Sequence, residues 1–217
     1  MIIALDGYSG TGKSTLSKLI ANKLNFNYLN TGMIYRAITY YFIKNNVLPE
    51  DITSINMMTA TLDVDVFYKN NIQYVVVNNF NCSDFVSDII VQNNVSKFSQ
   101  IKSIRQKVHN IQIAISKTNN IVVEGRDIGT EVFPNAEFKF FVVCDVKVRA
   151  KRRYDDLINS NKLTTLDEVE KSIIERDIMD TTRAISPLRK AEDAIIIDTS
   201  TKSIEESLNE ILSYIKI

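Results

Sequence analysis

The run Gly7-Tyr8-Ser9-Gly10-Thr11-Gly12-Lys13-Ser14 reads G-x-x-x-x-G-K-S, and Thr15 follows it. Residues of these types at this spacing are suited to holding a polyphosphate. The glycines let backbone N–H groups turn inward on phosphate oxygens, and a helix starting at Lys13 adds the partial positive charge of its first turn. Lys13 is long enough to reach β- and γ-phosphates, and the Ser14 hydroxyl is a Mg²⁺ ligand. A second chemical stretch is Glu124-Gly125-Arg126-Asp127-Ile128-Gly129-Thr130, placed after the apolar Ile121-Val122-Val123. Neighbours on a strand point to opposite faces, so Arg126 and Asp127 are expected to meet different partners and not each other. Arg126 can fork onto a phosphate, whereas Asp127, when ionised, only accepts hydrogen bonds. Such a carboxylate would favour a ligand group that donates hydrogen bonds over one that accepts them.

Further charges recur at telling spacings. Arg176, Asp180 and Arg183 fall at i, i+4 and i+7, on one helical face. Taken alone that pattern is equally an intrahelical ladder of ion pairs. Arg149, Arg152 and Arg153 follow a strand-like segment ending in Cys144-Asp145. They are either a solvated face or arginines closing on a transferring phosphoryl group, with Arg153 preferred for the contact. Arg36, in a helix just after Gly32, is either solvated or a forked cation for a second phosphate.

Apolar periodicity supplies the elements that must position these groups. Ile2 to Asp6 predicts a short buried strand before the phosphate loop, and Leu16, Leu19, Ile20, Ala21 and Leu24 mark a helix after it. Strands are predicted at Phe26–Leu29, from Ile121, at Phe138–Cys144 and at Ala194–Ile197, with helices at about 33–44 and 101–116. Thr165 with Glu168 and Ser203 with Glu206 form capping boxes that announce two more helices. Such alternation implies an α/β fold with a parallel sheet covered by helices on both faces. Leu62 to Val77 breaks it, alternating apolar and polar residues around Asn70-Asn71 as a β-hairpin would.

Composition narrows the classes. The chain has 217 residues, 45% of them hydrophobic, with 26 basic against 26 acidic side chains. No global field draws nucleic acid or an anionic membrane, so any anion must be bound locally. The opening MIIALDG has neither a basic n-region nor a long apolar run, which implies a cytoplasmic protein with no membrane partner. Cys82 and Cys144 lack metal-ligand spacing and read as plain buried thiols. Among nucleotide proteins, a regulatory GTPase would need N-K-x-D; Asn22-Lys23-Leu24-Asn25 and Asn161-Lys162-Leu163-Thr164 both lack the aspartate.

The phosphate loop with Thr15, Thr31-Gly32-Met33-Ile34-Tyr35-Arg36, the Glu124–Thr130 stretch, and Arg176-Asp177 through Arg183-Ala184-Ile185-Ser186-Pro187-Leu188 occur in an order and spacing that resemble the bacterial cytidylate (CMP) kinases. The likeness covers roughly residues 2–199. It implies a P-loop nucleoside monophosphate kinase core over 1–217, with an inserted CMP-binding subdomain at 63–100 and a short lid at 151–160. It implies transfer of the γ-phosphoryl group of Mg-ATP to CMP or dCMP by a monomer. Gly7 to Thr15 would bind ATP. Thr31, Arg36, Ser96, Arg105, Arg126, Asp127, Arg176, Asp180 and Arg183 would bind CMP, with Ser96 at the ribose and Arg105 at the base. From the residues alone, Arg105 is one charge beside Lys102 and Lys107, and Ser96 is silent. Lys13, Arg126, Arg153 and Arg183 would be the catalytic cations, and Ser14 with Glu124, the latter through water, would serve Mg²⁺. Two positions depart from the family pattern: Asn30 and Glu124 stand where an aspartate is common. The rivals are a UMP or dTMP kinase and a nucleotide-dependent switch or binding module.

Overall fold

The structure is a computed structural model that describes residues 1–69, 72–117, 120–160 and 162–216. In chain order its elements begin β1 (Ile2–Gly7), α1 (Lys13–Leu24), β2 (Asn27–Asn30), α2 (Thr31–Lys44) and α3 (Ile52–Thr61). There follow β3 (Val64–Lys69), β4 (Ile72–Val77), β5 (Phe80–Asn81), α4 (Ile89–Phe98) and α5 (Lys102–Ser116). The chain closes with β6 (Ile121–Gly125), β7 (Phe138–Val143), α6 (Val146–Asn159), α7 (Leu166–Thr182), β8 (Ile195–Asp198) and α8 (Ile204–Tyr214). Two compact units result, Met1–Phe26 with Ile121–Ile217, and Asn27–Asn120.

In the first unit the strands run parallel in the order β6-β1-β7-β8. Their near-continuous apolar runs suit strands buried on both faces; Ile3, Leu5, Val122, Val123 and Phe140 are all sealed from solvent. Helices α1 and α8 pack on each other, α1 against β1 and β6 and α8 against β8. Helices α6 and α7 form a second layer of contacts through Ala150, Val169 and Ile173, with Val146, Tyr154 and Leu157 around them. Both capping boxes form: the Thr165 and Ser203 hydroxyls accept from the Glu168 and Glu206 amides, and each glutamate accepts from its cap residue's N–H. The register sets Leu5 beside Glu124, Asp6 beside Gly125 and Gly7 beside Val142. The chemical residues at the end of β1 and of β6 are thereby neighbours.

In the second unit the predicted hairpin is present, with Val66 opposite Val75 and Phe67 opposite Tyr74; its predicted turn at Asn70-Asn71 lies outside the described residues. Gln73, Val75 and Val77 are buried and alternate with less buried neighbours, which fixes the register. Stacked Phe42 and Phe98, 5.6 Å apart, join α2 to α4. The sequence reading did not anticipate α3, α4, α6 or β5. Cys82 and Cys144 are free and buried, as expected, and burial pushes the Cys82 thiol up to about 11. No helix among the described residues is long and apolar enough to cross a membrane.

Gly7 marks the point where β1 comes too close to β7 for any side chain. Its φ is +146°, and a Cβ there would run into the carbonyl oxygen of Val142. Gly7→Ala combines a disfavoured backbone conformation with overpacking, so a loss of about 2–4 kcal/mol is expected. Thermal denaturation of the variant, with a midpoint several degrees below that of the parent, checks it.

Candidate active site

In the phosphate loop, Gly12 takes φ +87° and caps α1, so the helix begins at Lys13 with its N-terminal amides facing the loop. The Lys13 ammonium lies 5% exposed inside the loop. It donates to the Tyr8 carbonyl and, at 3.2 Å, to Thr11 Oγ1. Burial lowers its pKa well below the usual lysine range, and the Arg126 charge adds to this against the pull of Glu124, Asp6 and Asp180. Ser14 and Thr15 are exposed at the first turn. The Ser14 hydroxyl donates to Glu124 Oε2 at 2.8 Å, so the longer arm of Glu124 does reach the phosphate-loop serine.

The strand β6 ends at Gly125, so Arg126 and Asp127 leave it as a bend followed by a π-turn over Ile128–Val132. The alternation argument therefore does not apply to them, although its outcome holds in part. Arg126 Nε donates to Asp180 Oδ2 at 2.8 Å. Asp127, 6% exposed, has Arg183 Nη2 at 3.6 Å from its Oδ1. Arg183 also stands 3.9 Å from Asp180 Oδ1. The two neighbours thus meet different partners within one buried cluster. Burial pulls the Arg126 pKa down, but Asp180, Glu124 and Asp6 outweigh it and leave it raised. Burial raises Asp180, yet Arg126, Arg176 and Arg183 hold it below the ordinary carboxylate value.

Helix α7 stops at Thr182, and Arg183 is already extended. Ser186 then takes a left-handed φ of +48°, its carbonyl accepts from Arg183 Nε at 2.7 Å, and Leu188 N returns to the Asp180 carbonyl. This turn aims Arg183 back at Asp127 and Asp180.

The run Arg149, Arg152 and Arg153 lies within α6. Arg149, ranked below Arg153 on sequence, touches the phosphate loop. Its guanidinium donates to the Ser9 carbonyl at 3.1 Å and the Cys144 carbonyl at 3.0 Å. It also pairs with Asp177 Oδ2 at 2.8 Å and lies 5.4 Å from the Tyr8 ring centroid. Arg152 donates to the Thr199 carbonyl, and Arg153 is half-buried. No sequence signal separated Arg149 from its neighbours, because only packing decides which arginine of the run is buried.

The second unit places its own candidates. The Asn30 side chain caps α2, accepting from Met33 N at 3.0 Å, and Thr31 is buried behind it. Arg36 folds back along α2: a Cβ on Gly32 would lie 3.1 Å from its Nη1. Arg105, 7% exposed, donates to the Ser99 carbonyl at 3.1 Å and lies 5.8 Å from the Tyr35 ring. It is not on a solvated face. Ser96, also buried, gives its carbonyl to Ser99 Oγ and Gln100 Nε2. Gln73 was missed on sequence: its carboxamide accepts from Asn30 N at 2.8 Å and donates to Asn30 O at 3.1 Å.

The family model of cytidylate kinase matches residues 3–217. The chain belongs to the cytidylate kinase family. It is 42% identical over 214 residues to the cytidylate kinase of Clostridium botulinum (strain Loch Maree / Type A3), covering 99% of this chain and 97% of that one. Against the cytidylate kinase of Clostridioides difficile (strain 630) the identity is 41% over 217 residues, covering 100% and 99%. Among solved structures, shikimate kinase from Bacteroides thetaiotaomicron superposes with a TM-score of 0.50 at 15% identity, covering 99% of this chain and 97% of that chain. That likeness speaks for the fold alone.

Two carboxylates of this site should titrate with opposite effect on stability. Asp6 is raised to about 6 by burial, which outweighs its hydrogen bonds from the Gly129 and Ile128 amides and the nearby Lys13, with Asp127 adding to the rise. Its contribution is present below the unfolded value near 4 and lost as pH climbs through about 6. Asp180 is depressed, so its contribution is present above about pH 4 and lost as pH falls through its folded value. Stability measured by denaturant from pH 3 to 7 should therefore rise for Asp6→Asn relative to the parent between about pH 4 and 6. For Asp180→Asn the difference from the parent should shrink below about pH 4.

Proposed function

We propose that the protein transfers the γ-phosphoryl group of Mg-ATP to CMP or dCMP, giving ADP and CDP or dCDP. The observation that carries the reading is the cluster in which a phosphate loop, the half-buried Arg126 and the buried Arg183 and Asp127 converge within the first unit. Family membership supports it.

Phosphoryl transfer needs positioning and charge more than covalent chemistry. The acceptor's phosphate oxygen forms the new bond as the bond between the γ-phosphorus and the β–γ bridging oxygen breaks. A phosphate monoester is largely a dianion at neutral pH, its second pKa being about 6, so no general base is required. Gly7 to Thr15 hold the triphosphate through loop amides and the start of α1. Burial works against the charge of Lys13, and a phosphate anion in the loop would favour it where the γ-phosphoryl departs. The Ser14 hydroxyl and the Glu124 carboxylate, 2.8 Å apart, are hard oxygen donors side by side, which fits Mg²⁺ held by one or two protein oxygens and substrate phosphates. Mg²⁺ would neutralise charge on the β- and γ-oxygens there.

Arg126 is the cation for the acceptor phosphate, and Asp180 holds its guanidinium plane in place. Arg183 stands within reach of both Asp127 and Asp180, a position from which one guanidinium can serve base and ribose. Arg176 and Asp180 are assigned to the ribose. In the second unit Thr31 and Arg36 serve the acceptor phosphate, Ser96 the ribose and Arg105 the base, within an acceptor-binding insertion at 63–100 and its flanking helices. Helix α6 carries the arginines of the short lid at 151–160, and Arg149 with Arg153 are its candidates for the transferring phosphoryl. The protein is read as a monomer in the cytoplasm.

A coupled assay across CMP, dCMP, UMP, dTMP and AMP tests the reading, with ATP consumption expected to depend on added CMP or dCMP. ATP turnover indifferent to every monophosphate would turn the assignment toward a nucleotide switch. Lys13→Met should fold yet lose turnover by about 10³-fold or more, because the lost charge acts on the transferring phosphoryl. Asp127→Asn keeps the shape and gives the site an amide that can donate to uracil O4. The CMP-to-UMP ratio of kcat/KM is expected to narrow by at least about tenfold, about 1.4 kcal/mol. Equal losses toward CMP and UMP would assign Asp127 to the fold or the phosphate.

A further inference from the structure

Asp6 takes no part in the chemistry above, yet it is among the most confined carboxylates of the protein. It closes β1 immediately before Gly7 and is 4% exposed. Its two oxygens are used separately: Oδ1 accepts from the Ile128 amide at 2.9 Å and Oδ2 from the Gly129 amide at 2.7 Å. Those are the two amides that follow Asp127.

The turn is held from its other side as well. The Asp127 carbonyl accepts from both Glu131 N and Val132 N, and Phe133 N closes onto the Ile128 carbonyl. Asp127 is thus caught between the π-turn and the Asp6 carboxylate, in a backbone conformation (φ −143°, ψ 23°) outside the helical and strand basins. Gly129 fills a tight slot. A Cβ there would lie 3.1 Å from Lys139 Cδ and 3.5 Å from Asp6 Oδ2. Lys139 is itself fixed, bound to both oxygens of Asp193 at 2.9 and 2.7 Å.

An apolar residue at position 6 would leave two buried amides unsatisfied, and a carboxamide can accept from only one of them without turning its NH₂ on the other. A carboxylate is the one side chain of this size that accepts from both. It does so beside the like charge of Asp127 and under full burial, both of which oppose its ionisation. Filling space would not require this residue.

We infer that Asp6 is a positioning residue for nucleobase selection: by clamping the Ile128 and Gly129 amides it fixes the direction of the Asp127 carboxylate, and so sets the preference for CMP over UMP without touching the nucleotide. The inference rests on Asp127 as the base reader.

The test compares Asp6→Asn and Asp6→Ser with Asp127→Asn and the parent, in the full-length chain. For each, kcat and KM are measured for CMP and UMP at saturating ATP, KM for ATP at saturating CMP, and the thermal midpoint. The expected result is a CMP-to-UMP ratio of kcat/KM narrowed by about fivefold in the Asp6 variants, mainly through KM for CMP. KM for ATP should stay within about twofold although Asp6 adjoins the phosphate loop. A role confined to the fold would lower the midpoint and scale CMP and UMP activities equally, which overturns the inference. Failure of both Asp6 variants to fold overturns it too, since Asp6 would then be holding the structure and not the reader. An unchanged ratio in Asp127→Asn removes the base reader itself and with it the role of Asp6. A narrowed ratio in Asp127→Asn alone removes only the role of Asp6.

Discussion

The pair between Arg126 and Asp180, 2.8 Å long and with its carboxylate buried, states the constraint under which the first unit is built. A site that waits for anions must hold cations out of water before the anions arrive. An isolated buried charge is costly, so each cation needs a carboxylate partner that geometry keeps from collapsing onto the phosphate position. Lys13 has Glu124, Asp6 and Asp180 in its field, Arg126 has Asp180, and Arg183 stands between Asp127 and Asp180. The carboxylates come from three places, the end of β1, the end of β6 and the last turn of α7, and the parallel register with the Ser186 turn is what brings them to one point.

Arg149 answers the same constraint in a different way. It uses its planar fork in three directions, to Ser9, to Cys144 and to Asp177. A lysine offers a single point charge and could not satisfy that arrangement. The result ties the phosphate loop and the end of β7 to α7, the helix that carries Arg176 and Asp180.

Much of this was legible in the sequence where a local rule governs. The phosphate loop, both capping boxes, the hairpin strands and the parallel strands follow from spacing within a few residues, and each lies within one or two residues of its predicted bounds. What was not legible depends on contacts between distant segments. Short α3 and α4 lack a clean apolar period, and β5 spans only Phe80–Asn81. Arg126 and Asp127 were read by strand alternation, but the strand had already ended at Gly125 and a π-turn took over. Nothing local marks Arg149 over Arg153, or Asp6 as more than the last residue of a strand. Gln73 looked like one polar position of an alternating hairpin, when its carboxamide extends the backbone pairing of Asn30.

That last contact bears on the departure at Asn30. An aspartate there would cap α2 equally well, since either side chain can accept from Met33 N. It would also set a negative charge within the small space that Gly32 leaves between position 30 and Arg36, where a Cβ would already sit 3.3 Å from Asn30 Oδ1 and 3.1 Å from Arg36 Nη1. Asparagine keeps the cap without setting that charge beside Arg36. Gln73 grips the Asn30 main chain and leaves its side chain for the cap, so neutral groups hold the start of α2 at Asn30. In this unit the start of α2 is held by hydrogen bonds of Asn30 and Gln73 that carry no net charge, whereas the first unit pairs its cations with carboxylates.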